Sequence, residues 1–368
     1  MARLARSEVF APDEVAIVHV MNRVVRRCFL LGADAVTGKN YDHRKVWIEQ
    51  QLTRLAGCFG IDLLGFAILS NHFHLILRSR PDVVSAWDDA EVARRWLLLC
   101  PLRKNGEGFA EEPNQMELNT IVNDPQRLET VRLRLSDIAW WMRLLCQHIG
   151  TRANHEDHEI GKFWQSRFRA VRLLDEAAIL ACSAYVDLNP IRAAMAETLE
   201  QSDFTSVQRR IQSLQQQPTN SQCREDLAFT DVPAESKPAT RVATPDRFLS
   251  PLTLDERADT PTPVLSENGS RCSDLGYLPM PLAGYLELLD WTARQIRADK
   301  QGSTPLDAPP IFMRLSIEPG AWCELIGDFG RLFCNVAGRP QTVDNTRTRV
   351  RQSRYHIRPR ARQLLAAG

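Results

Sequence analysis

The chain has 368 residues, a length typical of two domains because single domains usually hold about 100 to 200 residues. Hydrophobic residues make up 44% and charged residues 25% of the sequence, a balance that excludes a globally disordered protein. The 46 lysines and arginines are matched by 45 aspartates and glutamates, so nucleic-acid binding cannot be argued from the overall charge of +1 and needs local basic patches.

No stretch of about 18 uninterrupted apolar residues occurs, and charged side chains appear within the first few positions. Neither a transmembrane helix nor an apolar signal segment is therefore predicted. The nine cysteines are scattered and form no CxxC pair, which argues against a zinc ribbon or a disulfide framework. We expect a reduced, cytoplasmic protein with no membrane partner.

Composition changes along the chain and predicts three regions. Residues 1–211 are dense in apolar and aromatic residues and form a predicted first domain. Residues 212–271 are rich in Gln, Pro, Thr and Ser, a composition that buries little apolar surface and is typical of a flexible polar linker. Residues 272–368 recover a hydrophobic pattern and form a predicted C-terminal extension that ends in an arginine-rich tail.

Hydrophobic periodicity divides the first region into short elements, beginning with the alternating, β-branched strand Val15–Asn22. The predicted elements that follow are a helix over His43–Cys58 capped by Asp42, strands over Leu63–Leu69 and His72–Arg78, a helix around Ala90–Cys100, a helix from Ser136, a strand over Phe163–Leu173, and a helix from its cap Asp175 to Tyr185.

The order β-α-β-β-α-β-α indicates an α+β fold, with a ferredoxin-like antiparallel sheet and helices on one face. The region after the linker adds a predicted amphipathic helix over Tyr285–Ala298 and the start of another at Trp322. We therefore expect a mainly helical C-terminal extension.

A histidine pair is the sharpest local pattern. His72 and His74 are two residues apart on a predicted strand, so they share one face, whereas Phe73, Leu75 and Leu77 face the other. A rise of roughly 6.6 Å over two residues lets both imidazoles converge on one metal ion. From these residues alone, two partly exposed histidines on an amphipathic strand are an equal alternative.

The helix that follows contains a second polar pair. Tyr185 and Asn189 are four apart and share one helix face, so a phenol and a carboxamide can act as nucleophile and metal ligand. The structural alternative is that Asn189 caps a new helix starting at Pro190, and that Tyr185 is a core tyrosine with its hydroxyl at the surface.

Four segments occur in a set order: His19–Arg23, Asn71–His74, Phe163–Phe168 and Tyr185–Arg192. Together they closely resemble the single-tyrosine HUH transposases of the IS200-like family, in particular the REP-associated tyrosine transposases. The resemblance covers about residues 10–211. Its fold looks like the ferredoxin-like sheet inferred above.

The resemblance implies roles for individual residues. His72 and His74 match the pair that holds a divalent metal, Mg²⁺ or Mn²⁺, and Tyr185 matches the nucleophile. Asn189 matches the position of a third polar metal ligand, which is often glutamine in relatives. Some relatives act as dimers that exchange the tyrosine helix and others as monomers, so a homodimer is left open.

The implied chemistry suits these residue types. A phenol with an ordinary pKa of about 10 is a weak nucleophile, so the phosphodiester has to be polarised by the metal. Attack by Tyr185 would form a 5′-phosphotyrosine and release a 3′-hydroxyl, which later rejoins the strand. Imidazole ligands shift the metal preference from Mg²⁺ towards Mn²⁺. The expected activity is strand transfer on single-stranded or hairpin DNA, in transposition or in a domesticated derivative.

Single-stranded DNA requires a positive track with stacking platforms. The candidates lie after the first strand and around the last one, where a solvated sheet edge and a core tryptophan are the structural alternatives. They are Arg23, Arg26, Arg27, Lys162, Trp164, Arg167, Arg169 and Arg172. A further seven arginines without an acidic residue between Arg347 and Arg362 can contact phosphates or form a solubilising tail.

Two other functions were weighed against the transferase. The first is a non-catalytic regulator that binds hairpin DNA or RNA on the same fold, against which the intact His72, His74, Tyr185 and Asn189 argue. The second is a two-histidine phosphoesterase, which needs two separate H-x-[ST] motifs where this chain has one H-x-H.

Overall fold

The computed structural model describes residues 9–366, apart from 12, 26–27, 35–36, 107–109, 217–243, 255–264, 268, 297–308 and 350–354. Up to residue 216, strands and helices follow closely on one another. They are β1 (Ile17–Arg23), α1 (His43–Cys58), β2 (Ile61–Ile68), β3 (His72–Ser79), α2 (Pro81–Ala86), α3 (Asp89–Leu99), α4 (Gln115–Val122), α5 (Pro125–Leu135), α6 (Ile138–Asp157), β4 (Arg169–Leu173), α7 (Glu176–Asp187), α8 (Asn189–Arg192) and α9 (Ser206–Gln216).

The region after residue 271 is mainly helical, as expected. Its elements are α10 (Leu282–Ile296), α11 (Ile311–Leu315), α12 (Pro319–Leu332), β5 (Val336–Ala337), α13 (Pro340–Arg349) and α14 (Pro359–Ala366). Across the described ranges, no helix combines the length and the apolarity needed to cross a bilayer.

The strands form one sheet with the order β2-β3-β1-β4-β5. The first four are antiparallel neighbours in the ferredoxin-like order, with Val20 opposite Leu75 in the β1–β3 register. The fifth strand, β5, pairs with β4 in parallel. The predicted α+β class is therefore confirmed, and the sheet is mixed because the C-terminal region adds a strand to its edge.

Helices cover both faces of the sheet, which differs from the expected cover on one face. Adjacent residues of a strand point to opposite faces. Phe73 contacts Trp164, which bonds to the carbonyl of Cys146 in α6, whereas His74 contacts Tyr185 in α7. The physical reason lies in β2, where all eight residues are buried and apolar side chains occupy both faces.

One predicted strand boundary and one predicted helix cap also differ from the structure. The predicted strand over Phe163–Leu173 is a strand only in its second half, β4, because Phe163 and Trp164 cross back to bond with Val24 and Val25 after β1. At α1, the carboxylate of Asp42 forms an ion pair with Lys45 and makes no cap hydrogen bond.

Parts of the predicted linker contact the sheet. The backbone N–H of Ser250 donates to the carbonyl of Leu63 in β2 at 2.9 Å, and Phe248 and Leu249 are buried. Beyond the linker, the Ser273 hydroxyl donates to the buried carboxylate of Asp62 at 2.8 Å. Linker residues 217–243, 255–264 and 268 lie outside the described residues.

Candidate active site

The alternation of β3 places the two histidines as its sequence predicts. His72 and His74 share one face, and their ring centroids are 5.0 Å apart at an interplanar angle of 77°. The opposite face carries Phe73, Leu75 and Leu77, which are fully buried. This apolar anchor fixes the strand, and with it the position of both imidazoles.

A third histidine, His19 of β1, lies beside this pair. Its Nε2 is 2.9 Å from Nδ1 of His74, and the two rings stack at 5.1 Å. The Nδ1–H of His72 donates to Oδ1 of Asn71 at 2.6 Å. Both β3 imidazoles therefore have Nδ1 engaged in a hydrogen bond, which orients Nε2 away from the partner.

The remaining nitrogen of His74 has no partner. Its Nε2 is buried and receives no hydrogen bond from any residue that the structure describes. A buried polar atom without a partner is costly, by about 1–3 kcal/mol, and usually marks a site with another occupant or a catalytic role. The unpartnered Nε2 of His74 therefore indicates that this imidazole would bind a ligand.

Burial keeps these histidines neutral. It lowers the pKa of His72 to about 4, with a smaller contribution from the charge of Arg23, and lowers the pKa of His19 to about 3, helped by Arg169. The pKa of His74 falls well below its usual value because of burial and, secondarily, of the neighbouring His72. At neutral pH, both β3 rings carry lone pairs, as metal ligands must.

Tyr185 lies over the same face of the sheet. Its helix, α7, begins at Asp175, whose carboxylate accepts from the N–H of Ala178 at 3.0 Å, as the sequence predicts. The Tyr185 ring meets His74 edge-on at 5.4 Å and His19 edge-on at 5.9 Å. The phenol and the imidazoles thus form one cluster.

The Tyr185 hydroxyl differs from those of the structural tyrosines. Tyr285 donates to a carboxylate oxygen of Asp187 at 2.7 Å, and Tyr355 donates to the carbonyl of Val9 at 2.6 Å. Within the described part of the chain, no hydrogen bond engages the Tyr185 hydroxyl. Buried tyrosines normally use the hydroxyl in a hydrogen bond that stabilises the fold. The half-buried Tyr185 does not, so its hydroxyl has no such structural role.

A cavity of about 360 Å³ opens at this cluster, between β1, β3, β4, α7, α8 and α12. Its walls are strongly basic. Among the described lining residues, one carboxylate, that of Asp328, accompanies four guanidinium groups, those of Arg23, Arg169, Arg192 and Arg331. Such a lining favours an anionic ligand.

Arg192 is the arginine that approaches the tyrosine. Its guanidinium carbon lies 4.8 Å from the centre of the Tyr185 ring, and it donates to the carbonyl of Gly327 in α12. No carboxylate in the described ranges forms an ion pair with it. A half-buried guanidinium with only a ring and a carbonyl as partners retains donors for a phosphate.

The C-terminal region supplies the wall opposite the histidines. Phe329 of α12 stacks on Tyr185 with ring centroids 5.3 Å apart at 27°, and it also contacts His19 edge-on at 6.1 Å. Arg169 donates to the carbonyl of Gly330 at 3.4 Å. No pattern in residues 272–368 predicts this position.

Asn189 is not brought to the cavity. Helix α7 ends at Asp187, and Asn189 is the first residue of the short helix α8, whose N-cap is Leu188. Asn189 therefore does not cap a helix at Pro190, contrary to the structural alternative. The described walls of the cavity do not include Asn189, which is buried instead. Its role as a third metal ligand stays a prediction, one that the geometry of this state does not favour.

The predicted DNA-binding residues separate into groups. Arg23 and Arg169 line the cavity. Arg172 points to the other side of β4 and forms an ion pair with Glu14, and the indole of Trp164 packs edge-on against Phe73 in the core. The remaining ones lie away from the cavity or outside the described residues: Lys162 and Arg167 are exposed, and Arg26 and Arg27 are not described.

Comparisons with known proteins add little to this geometry. No family model matches the sequence, and no curated protein matches it either. One similar solved structure is that of a REP-associated tyrosine transposase bound to a REP hairpin. The match covers 57% of this chain and 86% of the transposase chain, with 12% sequence identity and a TM-score of 0.30. Similarity at that level carries no argument about activity, so the site has to be interpreted from its own residues.

A divalent metal fits part of this site. The Nε2 atoms of His72 and His74 are available as two neutral imidazole ligands with engaged Nδ1 partners. In the described ranges, no cluster of three or more His, Cys, Asp and Glu side chains could complete the coordination. Further ligands would have to be oxygens of the substrate, of solvent or of an amide.

His19, Arg192 and Phe329 are the site residues for which sequence reasoning predicted no role. A signal existed for the first two. His19, Met21 and Arg23 alternate on one strand, and Arg192 follows Asn189-Pro190 in the motif itself. Nothing in the sequence near Phe329 indicates a contact with Tyr185.

Replacing His19 by Phe is expected to lower the affinity for Mn²⁺ about 10- to 100-fold, the usual effect of losing an outer-shell partner. The phenyl ring is also aromatic and planar but accepts no hydrogen bond from His74, so the orientation of Nε2 is lost. Titration calorimetry with Mn²⁺ measures the change. His43→Phe, at a histidine paired with Glu156 on the surface, is the control, and equal affinities in the two variants would contradict the assignment.

Proposed function

We propose that the protein is a metal-dependent strand transferase that nicks and rejoins single-stranded or hairpin DNA, in transposition or in a domesticated derivative. The observation that carries the proposal is Tyr185: a phenol without a hydrogen bond, 5.4 Å from the ring of His74, whose buried Nε2 also has no partner among the described residues. The order of the four sequence motifs supports the same chemistry.

The reaction is a transesterification at phosphorus. The Tyr185 oxygen forms a bond to the phosphorus of a phosphodiester and loses its proton, and the bond from phosphorus to the 3′ oxygen breaks. The departing 3′ oxygen takes up a proton and becomes a hydroxyl. In the second half, a 3′-hydroxyl attacks the phosphotyrosine, and the Tyr185 oxygen regains its proton.

His72 and His74 would hold the metal through Nε2, and His19 and Asn71 would orient the two rings. When bound, Mg²⁺ or Mn²⁺ supplies Lewis-acid polarisation of the phosphodiester. Two imidazole ligands favour Mn²⁺, because Mg²⁺ prefers a shell of oxygens. Neutral rings at physiological pH suit this role.

Arg23, Arg169 and Arg192 would bind the phosphates of the DNA strand. All three line the cavity, and each guanidinium can donate two parallel hydrogen bonds to phosphate oxygens. Tyr185, the histidines and these arginines line one cavity within a single chain. A homodimer stays a prediction.

The test is a cleavage assay on hairpin oligonucleotides with single-stranded flanks, run with Mn²⁺ or Mg²⁺ on denaturing gels. A label at the 3′ end is expected to migrate with the protein, since the downstream fragment stays on Tyr185. A label at the 5′ end is expected in a shorter, free fragment. A scrambled oligonucleotide without a stem is the control.

Measurable hairpin binding without a protein-linked 3′ label, for every hairpin and both metals, would contradict the transferase. It would favour the regulator that binds hairpin DNA or RNA without cutting it. The assay therefore separates the two functions that the sequence leaves in competition.

A further inference from the structure

Residues of the C-terminal region lie in direct contact with Tyr185. Phe329 stacks on the Tyr185 ring, and a Cβ built on Gly330 would lie 3.1 Å from the Tyr185 hydroxyl oxygen. The absence of a side chain at Gly330 therefore leaves room for the Tyr185 hydroxyl in its present position. The hydroxyl lies against the backbone of α12 on one side and open to the cavity on the other.

Helix α12 is held firmly in that place. Phe329 and Trp322 are buried, and the indole of Trp322 donates to the hydroxyl of Thr292 in α10 at 2.9 Å. After α12, β5 pairs with β4, the strand that carries Arg169. The Tyr285 hydroxyl of α10 donates to the carboxylate of Asp187, two residues after Tyr185. Helix α12 is therefore fixed through α10, which bonds to the tyrosine helix, and through β5, which bonds to the sheet.

The same helix also orients two arginines of the cavity. The carbonyl of Gly327 accepts from Arg192, and the carbonyl of Gly330 accepts from Arg169 at 3.4 Å. A carbonyl partner orients a guanidinium and leaves its positive charge in place, whereas a carboxylate would orient it and also neutralise the charge. The arginines remain available to an anion while their direction is set by α12.

A phenol with an unbonded hydroxyl needs such support. Reaction in line with a phosphodiester demands that the attacking oxygen be held within a fraction of an ångström, and a misplacement of about 1 Å can cost roughly 100-fold in rate. The Tyr185 hydroxyl has no hydrogen bond among the described residues to hold it, so its ring contacts must do so.

We propose that α12 is part of the active site, with Phe329 as the positioning residue for Tyr185. Phe329 fixes the plane of the phenol, Gly330 leaves room for its hydroxyl, and the carbonyls of Gly327 and Gly330 aim Arg192 and Arg169 into the cavity. This inference rests on the proposed transferase function and assigns residues 319–332 a task in it.

The first test compares two glycine substitutions in the same helix. In Gly330→Ala, the added methyl group would displace the hydroxyl by a few tenths of an ångström, so we expect adduct formation at saturating DNA to slow about tenfold. The Kd for DNA should stay within about twofold. Gly320→Ala, where a Cβ meets nothing within 4 Å, is the control and should keep the wild-type rate.

The second test changes the stacked ring. Phe329→Leu keeps an apolar side chain but removes the stacking face, so the rate at saturating DNA should also fall about tenfold without a matching loss of affinity. Phe312→Leu, at a buried phenylalanine of α11, controls for general loosening of the C-terminal region. Wild-type or faster rates in both Gly330→Ala and Phe329→Leu would overturn the proposal, as would an equal loss in Phe312→Leu.

A spectroscopic measurement separates this inference from the function itself. With 3-fluorotyrosine incorporated, the ¹⁹F resonance of Tyr185, assigned through Tyr185→Phe, should shift in Gly330→Ala and Phe329→Leu but not in Gly320→Ala. If the wild type forms no adduct and the shifts still occur, the transferase fails and the contact stands. Unshifted resonances in both variants would overturn the contact, whatever the activity.

Discussion

Replacing Tyr185 by Phe is expected to abolish the protein-linked DNA band and to leave hairpin binding within about twofold of the wild type. The substitution removes one oxygen atom, and that atom makes no hydrogen bond in the described structure, so folding loses nothing with it. The ring keeps its contacts with His74 and Phe329. Gel analysis of adduct formation and a binding isotherm on the same hairpin measure the two quantities.

Tyr355→Phe is the matched control for the loss of a phenol oxygen. The hydroxyl of Tyr355 donates to the carbonyl of Val9, and Tyr355 does not line the cavity, so loss of this oxygen should cost about 1 kcal/mol of stability and leave the adduct unchanged. A Tyr185→Phe protein that still forms the adduct would remove Tyr185 from the role of nucleophile.

Replacing His72 by Ala is expected to reduce adduct formation by roughly 100-fold or more, because the loss of an outer-shell partner alone typically costs 10- to 100-fold. His72 is only partly buried, so its removal should leave the fold intact. Raising the Mn²⁺ concentration should restore part of the rate if the imidazole acts through metal affinity. The dependence of the initial rate on Mn²⁺ concentration measures this.

His148→Ala is the control for the loss of a histidine, since His148 is exposed on α6 and does not line the cavity. In the wild type, chelation with EDTA should stop adduct formation and added Mn²⁺ should restart it. An undiminished rate in His72→Ala, or in the presence of EDTA, would exclude metal-dependent chemistry through this pair.

Strand periodicity was the most reliable guide to both fold and site. Alternation along His72–Arg78 predicted that His72 and His74 share one face and that Phe73 lies on the other, and the ring contacts confirm both statements. The order of the elements also predicted the ferredoxin-like strand order, because local hydrophobic periodicity indicates each strand and helix. Catalytic and metal-binding roles stay predictions.

Helical spacing was less reliable at the end of a helix. Tyr185 and Asn189 share a face only if one helix continues through both, but α7 ends at Asp187 and a new turn starts at Asn189. Arg169 and Arg172 were grouped as one basic surface, although positions three apart on a strand point to opposite faces. The structure separates them accordingly, one at the cavity and one paired with Glu14.

Contacts made by the C-terminal region could not be predicted. The ferredoxin-like order places β1 beside β3, so His19 meets His74, whereas Phe329 meets Tyr185 because the C-terminal region folds back onto α7. No local pattern encodes that neighbour. The apolar sequence of β2, however, requires both faces of the strand to be buried, so helices on the second face of the sheet could have been predicted.

The pairing of β5 with β4 has a consequence for the order of biosynthesis. During translation, β1 to β4 and the tyrosine helix emerge long before α12, and 135 residues separate Arg192 from the Gly327 carbonyl that holds it. A nascent chain can form the antiparallel sheet early, because domains fold from the N-terminal side as they are made. The cavity gains its last wall only when α12 has left the ribosome, so Phe329 reaches Tyr185 later than the antiparallel sheet can form.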